Sequence, residues 1–328
     1  METTISSCSF APVFPYNPEK KRKQPQLSQS PEGFPQLRDQ WLAEFETFTS
    51  ADQKLQLFGQ IFRPQKWRGD NAHKALFVLH GQGEHGGRYV HWPFYVGESV
   101  SAVYALDHRG HGQSKGARGH VDQFDLYAAD AALAINRFYE YLLEKFGKAE
   151  IHLFGHSMGG QVALRTILQH QDVPVSSLTL SSPMFDLAFP VPKVKEIAGR
   201  VLRKVLPNLP MQSNALGDLI SSDPRVCRHY KNDHLNHGMI SPAFFFSYLE
   251  AKEETIKRAA EIDVPLLVQV GMDDRIIQPR SIVKFYESLK NEERQLIRYD
   301  HLYHEIYNEP ERERVFSDLC QWIQRYSQ

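Results

Sequence analysis

The sequence predicts an α/β fold in which a doubly wound, mostly parallel sheet has helices on both faces. Short apolar runs that end in Gly, Asp or Ser turns recur along the chain, as buried parallel strands do. Between them lie segments whose apolar residues repeat at helical spacing. No repeat period is present, so the 328 residues are best explained as one large α/β domain that carries an insertion.

The predicted strands begin with Leu55 to Phe62, where Leu55, Leu57 and Ile61 fall at alternating positions. This pattern predicts an antiparallel edge before the parallel part of the sheet. The parallel strands are predicted at residues 75–79, 102–106, 151–154, 178–180 and 265–270, with a further short strand at 296–299. Helices are predicted from Tyr127 to Phe146 and from Gly160 to His170.

A segment from about residue 184 to 254 interrupts the alternation of strands and helices. Seven prolines fall between Pro183 and Glu254, and the next strand starts only near Val264. We interpret this segment as a helical cap inserted before a strand of the main domain. Within it, apolar and basic residues separate onto two faces of one predicted amphipathic helix. The apolar stripe is Val194, Ile197, Ala198, Val201, Leu202, Val205 and Leu206.

The composition excludes several classes of protein. The chain has 38 basic and 39 acidic residues and a net charge of -1, so it lacks the broad positive field of a nucleic-acid binder. Its three cysteines are too widely spaced for a zinc pair or a disulfide framework. No apolar run reaches 18 residues, which predicts a cytoplasmic protein, soluble or attached to a membrane only at its surface.

The first 36 residues have a different character from the rest. They are rich in Pro, Gln and Ser and contain the basic cluster at 20–23, which predicts a flexible N-terminal arm before a domain of residues 37–328. The segment Ile5–Cys8 resembles a lipobox but lacks the charged start and long apolar stretch of such signals. We therefore expect Cys8 to be an ordinary tail cysteine and not a lipid anchor.

The strongest chemical signal is Gly155-His156-Ser157-Met158-Gly159, which lies between a predicted strand and a predicted helix. This is the context of a nucleophile elbow, a sharp turn that exposes a serine hydroxyl. Small residues at 155, 159 and 160 allow the strand and the helix to approach each other closely. The N-terminus of the helix directs backbone N–H groups toward an oxyanion forming at Ser157.

A second glycine-rich segment, His80 to Tyr89, follows the first parallel strand. In a site of this kind, one oxyanion-hole N–H comes from the residue after the nucleophile and one from this loop. We assign the two backbone donors to Met158 and Gln82. A phosphate-binding loop would need a following Gly-Lys-Ser/Thr, which the sequence lacks.

A serine nucleophile needs a histidine base, and the base needs a carboxylate that orients it. Asp273 and Asp274 follow one predicted strand directly, and His304 lies in the loop after the next strand. His304 is preferred over His301, which lies too early in that loop. Spacing alone does not choose between the two adjacent aspartates.

Four blocks of sequence resemble the monoacylglycerol lipase and bacterial lysophospholipase branch of the α/β-hydrolases, a branch also grouped with serine aminopeptidase-like proteins. The blocks are His80–His85 with Arg88 and Tyr89, Asp107–Ser114, Gly155–Gly160, and Asp274-Arg275 with Tyr303-His304-Glu305. The resemblance spans roughly Leu55 to Tyr326. Gln82 departs from it, because monoacylglycerol lipases usually have a small apolar residue there.

The resemblance implies an α/β-hydrolase fold and a triad of Ser157, His304 and Asp274, in which the acid directly precedes Arg275. It implies ester hydrolysis through an acyl-enzyme, without a metal or an organic cofactor. The acyl chain of a small lipid ester is then expected under the cap. Candidate pocket residues are Phe185, Leu187, Phe189 and Phe245, although packing in the core is an alternative role for each.

The choice of substrate depends on charge near the cap. From Pro183 to Gly238 the sequence holds eight basic and five acidic residues, an excess that favours an anionic lysophospholipid over an uncharged monoacylglycerol. The amphipathic cap helix predicts either peripheral membrane contact or packing onto the main domain. An aminopeptidase, a small-ester esterase and a non-catalytic binding protein on the same scaffold are the alternatives. Nothing in the sequence sets the oligomeric state.

Overall fold

The computed structural model describes residues 14–15, 25–37, 41–67, 69–189, 193–213 and 217–327. Their large sheet consists of β1 (Phe14–Pro15), β2 (Trp41–Thr49), β3 (Gln56–Pro64), β4 (Lys74–Leu79), β5 (Ala102–Asp107), β6 (Glu150–His156), β7 (Ser177–Ser181), β10 (Leu266–Gly271) and β11 (Arg294–Tyr299). A separate antiparallel ribbon pairs β8 (Met211–Gln212) with β9 (Met239–Ile240). The helices are α1 (Pro93–Val96), α2 (Asp125–Phe146), α3 (Met158–Gln169), α4 (Lys193–Val205), α5 (Pro224–Asn232), α6 (Pro242–Lys257), α7 (Pro279–Ser288) and α8 (Arg312–Arg325).

The large sheet has the strand order β1-β2-β3-β5-β4-β6-β7-β10-β11. The strands from β5 to β11 in this order run parallel, while β1, β2 and β3 are antiparallel to their neighbours. Apolar clusters cover both faces of the sheet, which explains why the parallel strands are nearly continuous apolar runs. The predicted mostly parallel α/β sheet is therefore confirmed.

The antiparallel part differs from the prediction in one respect. The strand β3 was expected at the edge, but β2 and β1 lie outside it and β2 pairs with it along nine residues. The alternating residues of β2 include Phe45 and Phe48, whose rings are buried on opposite faces. The edge therefore lies two strands further out than the sequence suggested.

The predicted flexible arm extends too far toward Gln36. Phe34 is buried, and its ring lies 5.1 Å from the ring of His91 and 3.8 Å from the guanidinium carbon of Arg312. The side-chain amide of Gln113 also accepts the backbone N–H of Gln26 and donates to the carbonyl of Gln26. Residues 25–37 thus pack on the domain because the ring of Phe34 is buried against the ring of His91 and the guanidinium of Arg312. Cys8 and most of the predicted arm lie outside the described residues.

The segment between β7 and β10 contains α4, β8, α5, β9 and α6, in the place where the cap was expected. Gly199 and Arg203 of α4 face Phe246 of α6, and Arg203 also pairs with Glu250. The opposite side of α4 leaves Val201 and Val205 exposed. In the part of the chain that the structure covers, no helix is both long and apolar enough to cross a membrane.

His91 is a fully buried histidine just before α1. Neither of its ring nitrogens has a hydrogen-bond partner within the described ranges. Burial, reinforced by the charge of Arg88, lowers the pKa of His91 to about 3. The folded protein therefore keeps this ring neutral, whereas the unfolded chain protonates it below about pH 6.5.

We expect the free energy of unfolding to fall as the pH falls from 7 to 5, because the unfolded state then binds a proton that the folded state excludes. For a group with a folded pKa near 3, the loss is about 2 kcal/mol. The ring of the variant H91F cannot take up this proton. Its free energy of unfolding should therefore fall by about 2 kcal/mol less than that of the wild type between pH 7 and pH 5. Urea unfolding of both proteins at pH 7 and pH 5 measures the difference. Equal losses in both would contradict the prediction.

Candidate active site

Ser157 lies at a strained turn between β6 and α3. Its φ of 52° and ψ of -115° place a residue with a side chain in the left-handed half of backbone space. Such a conformation costs on the order of 1 to 3 kcal/mol and persists only where the surroundings enforce it. Here the N–H of Ser157 donates to the carbonyl of Ser181, and its own carbonyl accepts from Gly160 and Met184. The turn expected from the sequence is present.

Close packing of backbone on backbone enforces this turn. The position that a Cβ of Gly159 would occupy is 2.0 Å from the carbonyl oxygen of Leu79, at the end of β4. Any side chain at residue 159 would push α3 away from β4. The glycine requirement read from the sequence therefore has a direct steric cause.

The structure pairs His304 with Asp274. The distance between His304 Nδ1 and Asp274 Oδ2 is 2.7 Å, and both side chains are buried. The other oxygen of Asp274 accepts the backbone N–H groups of Ile276 and Ile277, which fixes the carboxylate. By contrast, Asp273 and His301 are 52% and 89% exposed and face each other at 3.6 Å. The geometry therefore favours Asp274 and His304 over their neighbours.

The charge state of His304 follows from this pairing. Burial opposes protonation of the ring, but the charge of Asp274 and its hydrogen bond outweigh burial, so the pKa of His304 is raised above its ordinary value. With Nδ1 held by Asp274, Nε2 remains to exchange a proton with a substrate or a nucleophile. Within the described residues, no hydrogen bond joins His304 to Ser157. Such bonds are often long in free enzymes and shorten in the substrate complex.

The loop after β4 runs directly past Ser157. The position of a Cβ on Gly81 would be 3.3 Å from the Cβ of Ser157. The next residue is Gln82, one of the two predicted oxyanion-hole donors, and the other is Met158 at the first position of α3. Neither of their backbone N–H groups donates to an acceptor in the described part of the chain. Both are therefore free to bind an oxyanion.

Among the described residues, three hydrogen bonds join the cap to this loop. The amide of Gln82 donates to the carbonyl of Met239 at 2.8 Å, and the N–H of His237 donates to Gly83 at the same distance. A third contact joins His85 Nε2 and Asp233 Oδ2 at 2.9 Å. The side chain of Gln82 is thus a link to the cap, a role that the sequence did not reveal.

A buried charged cluster that the sequence analysis did not assign lies beside His304. Arg88 Nη1 and Nη2 donate to the two carboxylate oxygens of Glu305 at 2.7 and 2.8 Å, and Arg88 also pairs with Glu84. Arg88, Glu84 and Glu305 are all buried. The sequence contains two signs of this cluster. An acid and a base lie four residues apart in the glycine-rich loop, and a second acid directly follows His304.

The four predicted pocket residues take different positions. Phe185 is buried in the core with its ring 4.4 Å from that of Phe285, which favours its alternative role in packing. Leu187 pairs with Ile277 through an isolated bridge and is half-buried. Phe189 and Phe245 are also half-buried, and Phe245 contacts Phe246. Contact of Leu187, Phe189 and Phe245 with a substrate remains a prediction.

Comparison with known proteins identifies a matching family and relatives that are named as lipases or phospholipases. A family model described as serine aminopeptidase, S33, matches residues 70–311. A monoacylglycerol lipase of Mycolicibacterium smegmatis is 32% identical over 259 residues, which cover 78% of this chain and 90% of that protein. Phospholipase YtpA of Bacillus subtilis is 29% identical over 262 residues, which cover 79% of this chain and 98% of that protein.

A solved crystal structure shows that the similarity extends to the fold. The crystal structure of Paleococcus ferrophilus monoacylglycerol lipase matches with a TM-score of 0.70 and 27% identity, covering 83% of this chain and 99% of that one. The family match alone spans well over half of the chain. The chain therefore belongs to the serine aminopeptidase S33 family and is an ester hydrolase with the α/β-hydrolase fold.

Proposed function

We propose that this protein hydrolyses esters of single-chain lipids, with lysophospholipids preferred, through a triad of Ser157, His304 and Asp274. The observation that carries the proposal is the buried 2.7 Å pair of His304 and Asp274, in the same site as the strained turn at Ser157. The relatives named monoacylglycerol lipase and phospholipase support the ester class. An uncharged monoacylglycerol is the alternative substrate.

In the proposed reaction His304 Nε2 takes the proton of the Ser157 hydroxyl while its oxygen attacks the ester carbonyl. The resulting imidazolium is stabilised by Asp274, and the developing oxyanion by the N–H groups of Gln82 and Met158. His304 then donates the proton to the departing alcohol. Water hydrolyses the acyl-enzyme by the same steps, with His304 again as the base.

The preference for an anionic lipid rests on the charge of residues 183–238. Of the eight basic residues in this segment, Arg203, Arg225 and Lys231 are paired with carboxylates. These pairs are partly exposed, so they leave the positive excess of this segment available for long-range attraction. An anionic headgroup is therefore favoured near the cap, while the ester itself is cleaved at Ser157.

Substitution S157A should abolish hydrolysis, because no other residue of the proposed site supplies a nucleophile. We expect kcat to fall by about 10⁴-fold or more on a lysophospholipid, a monoacylglycerol and a short p-nitrophenyl ester. The proposed preference requires the highest kcat/KM of the wild type on the lysophospholipid. A fluorophosphonate probe should label the wild type and not the variant. Comparable hydrolysis by S157A would refute the mechanism.

The adjacent aspartates provide a matched pair of variants. D274N should lower kcat by about 10³- to 10⁴-fold, because the amide cannot hold His304 in the required tautomer and stabilise its cation. D273N, at an exposed position, should stay within about twofold of the wild type. Steady-state kinetics on one ester compare the two variants. A larger loss in D273N would reverse the assignment.

We also propose that α4 contacts membrane surfaces. Val201, Val205 and Leu206 are 58%, 69% and 49% exposed, and Leu209 extends the patch. Lys204 is exposed on the same helix. An exposed apolar strip beside basic residues is typical of a helix that lies in the interface of an anionic membrane.

Substitution V205D should weaken binding to vesicles that contain anionic lipid, because it places a negative charge in the centre of this strip. L143D is the matched control, since Leu143 is 41% exposed on α2, in the main domain. Flotation at low salt should recover wild type and L143D with the vesicles and leave most V205D behind. Equal flotation of all three would argue against membrane contact by α4.

A further inference from the structure

We propose that Arg88, Glu84 and Glu305 form a positioning cluster that fixes the oxyanion loop, the glycine-rich loop after β4 from His80 to Tyr89, relative to His304 and supplies a second carboxylate to the base. This proposal deepens the proposed function and rests on it. It differs from the triad assignment because none of the three residues is expected to touch the substrate.

The first step concerns the oxyanion loop. Glu84 Oε1 accepts the backbone N–H of Gly81 at 2.6 Å and the hydroxyl of Tyr89 at 3.1 Å. Gly81 precedes Gln82 and lies against Ser157. The carboxylate of Glu84 therefore orients the peptide that leads into one predicted oxyanion donor.

The second step concerns the loop of the base. Glu305 directly follows His304, and its backbone N–H donates to the carbonyl of Ile220 in the cap at 2.7 Å. Its carboxylate accepts both ends of the Arg88 guanidinium and the amide of Asn308 at 2.8 Å. These bonds leave Glu305 little freedom, so the adjacent His304 is held from its own backbone.

Arg88 joins the oxyanion loop to the loop that carries His304. Its guanidinium binds Glu84 of the oxyanion loop and Glu305 of the base loop at once, and the ring of Tyr230 from the cap covers it at 4.8 Å. Only a planar, forked cation makes a bidentate contact on one carboxylate and still reaches another. The relative placement of donor and base thus depends on one side chain.

The charges of the cluster do not cancel. One guanidinium serves two buried carboxylates, so an excess negative charge remains beside His304 in addition to Asp274. Arg88 keeps Glu305 ionised, since the pairing outweighs burial and holds the pKa of Glu305 below its ordinary value. This excess stabilises the imidazolium that forms when Ser157 is deprotonated. The neighbouring ring of His156 adds no charge at neutral pH, because burial lowers its pKa to about 4.

The charged and titratable groups around His304 come from several elements. They are Asp274 after β10, His156 at the end of β6, Glu84 and Arg88 in the loop after β4, and Glu305 itself. Tyr230 on α5 faces Arg88. Among them, Glu305 directly follows His304, and a single isosteric change neutralises its carboxylate without breaking the bond between His304 and Asp274.

The test uses E305Q, whose carbonyl still accepts from Arg88. Loss of this negative charge should lower the proton affinity of His304 and move the acid limb of kcat/KM to lower pH by about 1 unit. The rate of Ser157 labelling by a fluorophosphonate, measured against pH, should shift in the same direction. D130N is the matched control: Asp130 is an equally buried carboxylate bound by Arg109, and it bonds no residue of the site. D130N should lose stability while its acid limb stays in place.

R88K keeps one positive charge but loses the forked contact. We expect kcat to fall about tenfold with KM changed by less than about twofold, and Ser157 labelling to slow by a similar factor. This variant decides the question if E305Q does not fold. An E305Q protein with an unmoved acid limb, or a folded R88K protein with unchanged kcat and labelling, would overturn the cluster.

Failure of the cluster and failure of the function give different results. If S157A retained activity, the proposed function would fail whatever E305Q does. If the wild type reacts at Ser157 but neither Glu305 nor Arg88 affects the reaction, only the cluster is refuted. If D130N shifts the acid limb as far as E305Q does, the shift reflects a general loss of stability, and the cluster is again refuted.

Discussion

The backbone of Ser157 is the constraint on which the rest of the site depends. A residue with a φ of 52° between a buried strand and a buried helix is stable only if both elements are fixed by other contacts. The parallel strands β4, β6 and β7 supply them: β6 leads into the turn, Leu79 at the end of β4 blocks any side chain at Gly159, and Ser181 of β7 accepts from Ser157. The apolar core therefore acts on the chemistry by holding this turn.

The same edge of the sheet brings the other groups together. The loops after β4, β6, β10 and β11 leave from the carboxyl ends of parallel strands, so Gln82, Ser157, Asp274 and His304 meet there although they are far apart in sequence. The register of the strands fixes where these loops leave the sheet. Because β10 and β11 pair from Leu266 with Arg294 to Gly271 with Tyr299, the two loops leave the sheet at the same level.

Much of this arrangement could be predicted from the sequence, because its causes are local. The apolar runs indicated the parallel strands, and the glycines at 155 and 159 indicated the sharp turn at Ser157. Spacing could not separate Asp273 from Asp274, since adjacent residues share one position in the pattern and differ in the direction of the side chain; only the family resemblance favoured Asp274. The placement of Phe34 and the outer strand β2 was missed, because both depend on distant partners that composition does not reveal. Glu84, Arg88 and Glu305 are recognisable in the sequence as charged residues. Their cluster could not be predicted, because the bonds of Arg88 to Glu305 join loops more than 200 residues apart.

The cap contributes unequally to the site. Its segment from Asp233 to Ser241 is bound to the loops of the main domain at His85, Gly83, Gln82 and Gly119, whereas α4 contacts α6 and exposes its other face. Movement of the bound segment would pull on Gln82 and so displace a predicted oxyanion donor. Movement of α4 breaks no described hydrogen bond to these loops. If the cap opens to admit a lipid, the physical cost is therefore lowest at α4, and the helix with the exposed apolar strip is also the part of the cap that can move without disturbing the chemistry.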